Sequence, residues 1–371
     1  MLKQIFDDDT IEHLKTNKDQ ISPELLEKMR SFGNEGKRLA LEILDTEKDH
    51  EGYYVDSFGN RLSFNGNRGI KGQFAKMDLA NIHVEEIKRC AEDIHYFKDN
   101  YIRIRTKNGI NFPEMREYQN EFITIIEDDV NEDIIGLSPR QSGKSVTVGI
   151  YLAHLYNFSQ DRNIGIAANR SAMAREFLNN VKNMVLELPM WMQLGTIVWN
   201  KGSIENEAGM RILTDVPSSD SFRGYSIHCL VIDETAFIRN TVWDEFTDSI
   251  FPSQSGLAWK KTIMISTANG MNHFYHLVED AKSESNGMQF YQVSWKDVPR
   301  YKADGSVYSP EEFMNSIIRK HGEVYWAQNY ENSFIGSSYT LLSADALKKI
   351  KPKDPEMIQD QLKIYEFPEK N

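Results

Sequence analysis

Two kinds of apolar pattern alternate along the middle of the chain. Short, β-rich apolar runs at Asp133–Leu137, Asn163–Ala168, His228–Ile232, Thr262–Ser266 and Phe290–Val293 predict strands. Between them, over 82–97, 114–129, 144–158, 170–188, 241–250 and 273–284, apolar residues recur at helical spacing, and helices are predicted. Strands alternating with helices build a mostly parallel sheet covered on both faces, and such sheets bind ligands at the carboxyl ends of their strands. The flanks read differently. Residues 1–50 carry a helical stripe (Ile11, Leu14, Leu25, Leu26, Met29) that predicts a helical arm. Gly and Asn break the segment from Gly52 to Gly72 into short runs, as a hairpin followed by a flexible loop would be. Two short helices are predicted at Pro310–Lys320 and Glu323–Glu331. The tail from Lys348 is charged and punctuated by Pro, like a linker leaving a domain.

Length and charge narrow the classes. At about 150 residues per domain, 371 residues make roughly two domains. With 43 Lys+Arg against 55 Asp+Glu the net charge is -12, so bulk charge does not attract nucleic acid and any phosphate contact is local. No apolar run approaches the roughly 20 residues of a membrane span, and the first ten residues are acidic, unlike a signal peptide, so an intracellular, soluble protein without a membrane partner is expected. Cys90 and Cys229 form no C-x-x-C pair and the nine His no H-E-x-x-H, which excludes a cysteine zinc site and a zincin. Residues 57–77 hold Arg61, Arg68, Lys71 and Lys76 and no acid. That stretch suits either a solvated loop or one that tracks phosphates, with Lys348, Lys349, Lys351 and Lys353 as an equally basic competitor.

The chemistry concentrates in two places. The run Ile134–Leu137 leads through Ser138, Pro139, Arg140, Gln141, Ser142 and Gly143 into Lys144, Ser145 and a helical segment. Strand, tight loop and helix opening at Gly-Lys-Ser aim successive backbone N–H groups at one anion; Lys144 adds a charge for the β- and γ-phosphates and Ser145 a hydroxyl for Mg²⁺. Ser138 stands where the phosphate-loop pattern begins with Gly. Further on, the run at His228–Ile232 ends in Asp233 and Glu234. An apolar strand closing on two carboxylates places them beside the phosphate loop of a neighbouring strand, Asp233 for Mg²⁺ and Glu234 to orient or deprotonate the attacking water. Such a pair alone also suits a helix N-cap. Arg140 is either a cis arginine finger or a surface ion-pair partner. Gln119 can read an adenine edge, with Tyr118 packed nearby.

Together these residues resemble the ATPase domain of the large terminases of tailed bacteriophages, most like the T-even type. The resemblance is carried over about 95–335 by SPRQSGKS, YLAHLYNF, VWNKGSIE, SFRGYSIHCLVIDETAF, STANGMNHFY and the Tyr118-Gln119 pair. It implies a P-loop NTPase fold of the RecA/ASCE type with a small helical lid. Residues 1–58 and 310–360 would form the lid, 59–309 the ATPase subdomain and 361–371 a linker towards a nuclease domain not expected in this chain. It also implies a Mg²⁺-dependent ATP hydrolase that drives double-stranded DNA into a procapsid. Its partners would be a portal protein and a small terminase subunit, in a homo-oligomeric ring on the portal, with the isolated chain monomeric and binding DNA weakly. Its place would be the cytoplasm of the infected host, with transient attachment to the procapsid. The resemblance puts the adenine motif on Gln119, the phosphate-loop cations on Arg140 and Lys144, the acids on Asp233 and Glu234, and the coupling motif on Ile265, Ser266 and Thr267, where Ile265 replaces a Thr. Two alternatives stay open: a DExx-type helicase, which would need a second RecA-like domain, and a nucleotide-gated binding module without turnover.

Overall fold

The computed structural model describes residues 48–334 except 57, 78, 107, 108 and 303, together with 357–359 and 362–364. Nearly all of the helical arm expected at 1–50, and the lysines at 348, 349, 351 and 353, lie outside the described residues. β1 (Ser63–Phe64) and β2 (Asn67–Lys71) form the hairpin expected before Gly72. Where one helix is predicted over 82–97, there are two, α1 (Asn81–Glu92) and α2 (Ile94–Tyr101). The apolar period runs through Asp93, but its carboxylate accepts the Tyr96 N–H at 2.9 Å and its extended backbone ends one helix while capping the next. A further hairpin, β3 (Ile104–Thr106) with β4 (Gly109–Asn111), is too short to show in the pattern.

The centre is an eight-stranded sheet made of β5 (Asp133–Leu137), β6 (Asn163–Ala168), β7 (Thr196–Trp199), β8 (Ser203–Asn206), β9 (Arg211–Asp215), β10 (Ile227–Asp233), β11 (Lys261–Ser266) and β12 (Gln289–Gln292). Its spatial order is β12-β5-β11-β10-β6-β9-β8-β7. All pairings from β12 to β9 are parallel, as predicted, and β8 and β7 extend the sheet antiparallel. Helices α3 (Glu117–Glu127), α4 (Lys144–Phe158), α5 (Ser171–Leu186), α6 (Asn240–Gln254) and α7 (His273–Lys282) alternate with the strands. Neighbouring strand residues point to opposite faces. Ile134, Ile166, Val231, Ile263 and Ile265 join a core shared with α1 to α5, while Ile135, Ala167, Leu230, Ile232 and Met264 join one shared with α6 and α7. The sheet is therefore covered on both sides.

The strand order corrects one expectation. β10, which ends in Asp233, does not neighbour β5; β11 lies between them, because order along the chain does not fix order in space. The intervening strand delivers Ser266 and Thr267 between the phosphate loop and the acids. β5 is also met closely by α3. A Cβ on Gly136 would lie 2.9 Å from Phe122 Cζ and 3.1 Å from Ile265 Cγ2, so the absence of a side chain lets the helix approach. Phe122 stacks on Tyr291 at 5.1 Å, and the Tyr291 hydroxyl donates to the Tyr118 carbonyl at 2.8 Å. The other end of α3 is held by fully buried Lys261, whose ammonium donates to the carbonyls of Ile126 and Asp128 at 2.5 and 2.9 Å. These contacts fix Tyr118 and Gln119 against the loop that follows β5.

Beyond β12, α8 (Pro310–His321) opens with Pro at its first position and a reciprocal cap between Ser309 and Glu312. Gly322, at φ 87°, turns the chain into α9 (Glu323–Asn329). Phe313, Trp326 and Tyr330 form a third, small aromatic core with Trp295 and Tyr308 beside it. β13 (Met357–Gln359) and β14 (Leu362–Ile364) pair antiparallel.

Candidate active site

β5, β11 and β10 run in parallel register, Leu137 opposite Ser266 and Ile265 opposite Asp233, so their carboxyl ends bring the predicted site residues to one level. The chain leaves β5 at Ser138, whose N–H donates to the Ser266 carbonyl at 3.0 Å. Ser138 is buried and is not among the residues at positive φ, so this position does not demand the Gly that the pattern has there. The left-handed turns come later, at Gln141 (φ 60°) and Gly143 (φ 81°), and Gly143 caps α4 with Lys144 and Ser145 in its first turn.

Lys144 Nζ lies 2.9 Å from Glu234 Oε1, with the two side chains 10% and 21% exposed. Ser145 Oγ donates to Asp233 Oδ2 at 3.4 Å. Glu234 is itself left-handed (φ 51°), a strained state for a residue with a side chain, and its N–H donates to Asp233 Oδ1 at 3.0 Å. Burial is the main cause that pushes the Asp233 carboxyl up to about 6; Lys144 opposes the shift and the Glu234 carboxylate adds to it.

Ser266 works as a clasp. Its carbonyl takes the Ser138 N–H, its hydroxyl accepts the Ala236 N–H at 3.1 Å, and Glu234 Oε2 lies 3.5 Å from both its hydroxyl and the Thr267 N–H. Ile265 is fully buried in the core, its Cγ2 close against Gly136. Past Thr267, the amides of Asn269 and Asn272 both donate to the Ala236 carbonyl, at 3.0 and 2.6 Å, and Gln328 of α9 donates to Asn269 Oδ1 at 3.0 Å.

Gln119 lies against the phosphate loop. Its Oε1 accepts the Arg116 N–H at 3.0 Å, and its Nε2 donates to the Ser142 carbonyl and Thr147 Oγ1 at 3.4 and 3.3 Å. Both ends of the amide are engaged, and it braces the loop. The Tyr118 hydroxyl does the same, donating to the Ser142 carbonyl at 2.8 Å. Arg140 is exposed at the loop tip, its N–H held by the Asn329 carbonyl at 2.9 Å and its carbonyl by Arg300.

A family model described as "Terminase large subunit, T4likevirus-type, N-terminal" matches residues 135–349, more than half of the chain. The chain belongs to this family. Among solved structures, the HK97 bacteriophage large terminase is similar at a TM-score of 0.53 and 19% identity, over 66% of this chain and 55% of that one. The Thermus phage P74-26 large terminase ATPase domain is similar at a TM-score of 0.48 and 17% identity, over 60% of this chain and 94% of that one. This terminase chain thus spans about half the length of the HK97 protein, and that likeness shows the P-loop fold.

Two features of this terminase chain were not legible as motifs. Arg300 and Asn329 reach the phosphate loop, and Gln328 reaches Asn269, from far along the sequence with no spacing signal. The basic stretch at 57–77 is less free than its composition indicates. Arg61 pairs with Asp49 at 2.8 Å and with Glu51, and it lies 4.0 Å over the Tyr53 ring; Arg68 lies over the same ring at 4.9 Å. The acids that neutralise Arg61, Asp49 and Glu51, precede the basic stretch in the chain.

Gly143 supplies a direct test of the loop. A Cβ there would stand 2.5 Å from Gln119 Nε2, on a backbone at φ 81° that disfavours any side chain. Gly143→Ala must therefore displace the Gln119 brace, with an expected cost of about 1–3 kcal/mol and loss of ADP binding. A thermal melt with and without ADP checks both. A variant that melts and shifts like the parent would mean that the brace is dispensable.

Proposed function

We propose that this chain is the ATPase motor part of a large terminase, hydrolysing ATP to drive double-stranded DNA into a viral procapsid. The observation that carries the reading is the convergence of Lys144, Ser145, Asp233 and Glu234 at the ends of β5 and β10, with Ser266 clasping the two loops. In this reading the backbone N–H groups around Gly143 and the start of α4 bind the phosphates, and Lys144 leaves Glu234 to neutralise them. Glu234, so released, takes a proton from the attacking water. Arg140 extends from the loop tip towards charge that develops on the γ-phosphate. Ser266 and Thr267, within 3.5 Å of Glu234 through the Ser266 hydroxyl and the Thr267 N–H, sense its position and pass it through Asn269 and Gln328 to α9.

The donors also fit Mg²⁺. Ser145 Oγ and Asp233 Oδ2 are two hard oxygens facing each other, the sparse protein set that this cation takes when phosphates and waters complete its shell. When bound, Mg²⁺ would neutralise β- and γ-phosphate charge. Family membership supports the wider assembly: a ring on a portal, with a small terminase subunit and duplex DNA as partners, in the host cytoplasm. Measuring ATP turnover with and without Mg²⁺ tests the reading, and a chain that binds ATP without ever hydrolysing it would leave only the nucleotide-gated module.

Asp233 makes the cation dependence sensitive to pH. Its carboxyl ionises near 3.8 in the unfolded chain and at about 6 in the fold. The raised value means that protonated Asp233 favours the folded state below about pH 4, and that this contribution is lost as pH rises through about 6. Mg²⁺ needs the carboxylate, so its apparent affinity should rise about tenfold per pH unit up to about pH 6 and then level off. Titrating Mg²⁺ activation of turnover from pH 5 to 8 would show the break; a flat profile would take Asp233 out of the metal site.

A further inference from the structure

The outward-facing carbonyls at the tip of the phosphate loop are taken up by one residue. Arg300 donates from Nη2 to the Arg140 carbonyl at 2.7 Å, and from Nη1 to the Gln141 carbonyl at 3.4 Å and to Gln141 Oε1 at 3.2 Å. Its Nε is fully covered and has no hydrogen-bond partner, and no carboxylate pairs with it among the described residues. The guanidinium instead lies against aromatic faces, 5.2 Å from the Phe313 ring centre and 5.5 Å from that of Tyr330. Burial draws its pKa below the ordinary arginine value. A half-buried cation without an anion is costly, and only the loop carbonyls and the two rings offset that cost.

The dependence runs the other way as well. Gln141 holds a left-handed backbone that a non-glycine residue adopts only when its surroundings impose it. Arg300 grips Gln141 at two atoms, and one residue earlier the Arg140 N–H is held by the Asn329 carbonyl at 2.9 Å. Phe313, Tyr330 and Trp326 are the third core, and Asn329 stands beside Tyr330 in the chain. The tip of the loop is therefore bolted to that core at consecutive residues.

We infer that Arg300 is a positioning residue that locks the tip of the phosphate loop to the C-terminal aromatic core, so that nucleotide affinity and the packing of that core rise and fall together. The inference rests on the nucleotide reading above. Reciprocity follows: a core loosened by mutation binds nucleotide less well, and bound nucleotide stiffens the core. Lysine should replace Arg300 poorly, because the guanidinium presents Nη1 and Nη2 in a fixed fork that reaches the Arg140 carbonyl, the Gln141 carbonyl and Gln141 Oε1 together, whereas an ammonium is a single point of donation.

The test compares ADP affinity by calorimetry and ATP turnover for the parent chain, Arg300→Ala, Arg300→Lys, Tyr330→Leu and the Arg300→Ala/Tyr330→Leu double variant. Arg300→Ala should weaken ADP binding roughly tenfold or more, the scale of charged hydrogen bonds, with a smaller change in kcat at saturating ATP. Arg300→Lys should fall well short of parental affinity, and the double variant should be no weaker than Arg300→Ala alone, because both changes cut one link. Parental affinity in Arg300→Ala or Arg300→Lys, or losses that multiply in the double variant, would overturn the proposal. If circular dichroism shows that Arg300→Ala does not fold, Arg300→Lys carries the same comparison. A parent chain that binds no ADP overturns the nucleotide reading and this inference with it, which separates the two failures.

Discussion

Glu234→Gln is expected to bind ATP at least as tightly as the parent chain while hydrolysing it about 10²–10⁴-fold more slowly. The loss of rate follows from the loss of a base: an amide keeps the shape of the carboxylate and cannot take a proton. The sign of the affinity change comes from the ion pair. Glu234 holds the Lys144 ammonium at 2.9 Å, so incoming phosphates would compete with a carboxylate for the same cation. The neutral amide removes the competitor and leaves Lys144 to the phosphates. Equilibrium binding of ADP and a slowly hydrolysed ATP analogue, beside steady-state turnover, checks both halves. Parental turnover would remove Glu234 from its role as base. A variant that binds nucleotide more weakly would show instead that the carboxylate shapes the site rather than competing within it.

How much of this was legible before the fold depends on whether a feature is local. Strand, loop and helix around Gly143 are contiguous, and their residue types describe one backbone path, so the phosphate loop could be located from the chain alone. The same holds for β10, apolar up to Asp233. What the pattern could not supply was the partner across space. Ser266 ends an apolar strand, which the pattern shows, yet its function as a clasp needs β11 to lie between β5 and β10, and no periodicity encodes that order. Gln119 was found, but its amide is engaged by Arg116, Ser142 and Thr147, which only packing can decide. β7 and β8 escaped because β8 holds one apolar residue, Ile204, and the turn between them, Asn200 to Gly202, interrupts the run. The break at Asp93 escaped for the opposite reason, since the helical period continues on both sides of it. Arg300 belongs to a polar stretch that reads as surface, and its importance lies in carbonyls some 160 residues earlier.

Lys144→Ala is expected to weaken ADP binding roughly 10–100-fold and to abolish turnover, the range that corresponds to losing a charged hydrogen bond to phosphate. Backbone N–H groups and the start of α4 would still face the anion, so binding should be weakened rather than erased. The chain itself should tolerate the change only partly. Glu234 is 21% exposed and would keep a carboxylate without its cation, next to Asp233, whose own ionisation burial already opposes. Removing Lys144 takes away the cation that opposes the rise at Asp233, so the variant should melt at a higher temperature at pH 5 than at pH 8, in contrast to the smaller pH dependence of the parent. The Lys144→Ala/Glu234→Gln double variant should recover that stability, because the uncompensated charge is gone, and should recover no turnover, because neither phosphate neutralisation nor base is restored. Melting curves at both pH values with an ADP titration decide the matter. If the single variant binds ADP as the parent does, Lys144 is a structural partner of Glu234 and not the cation that receives the phosphates.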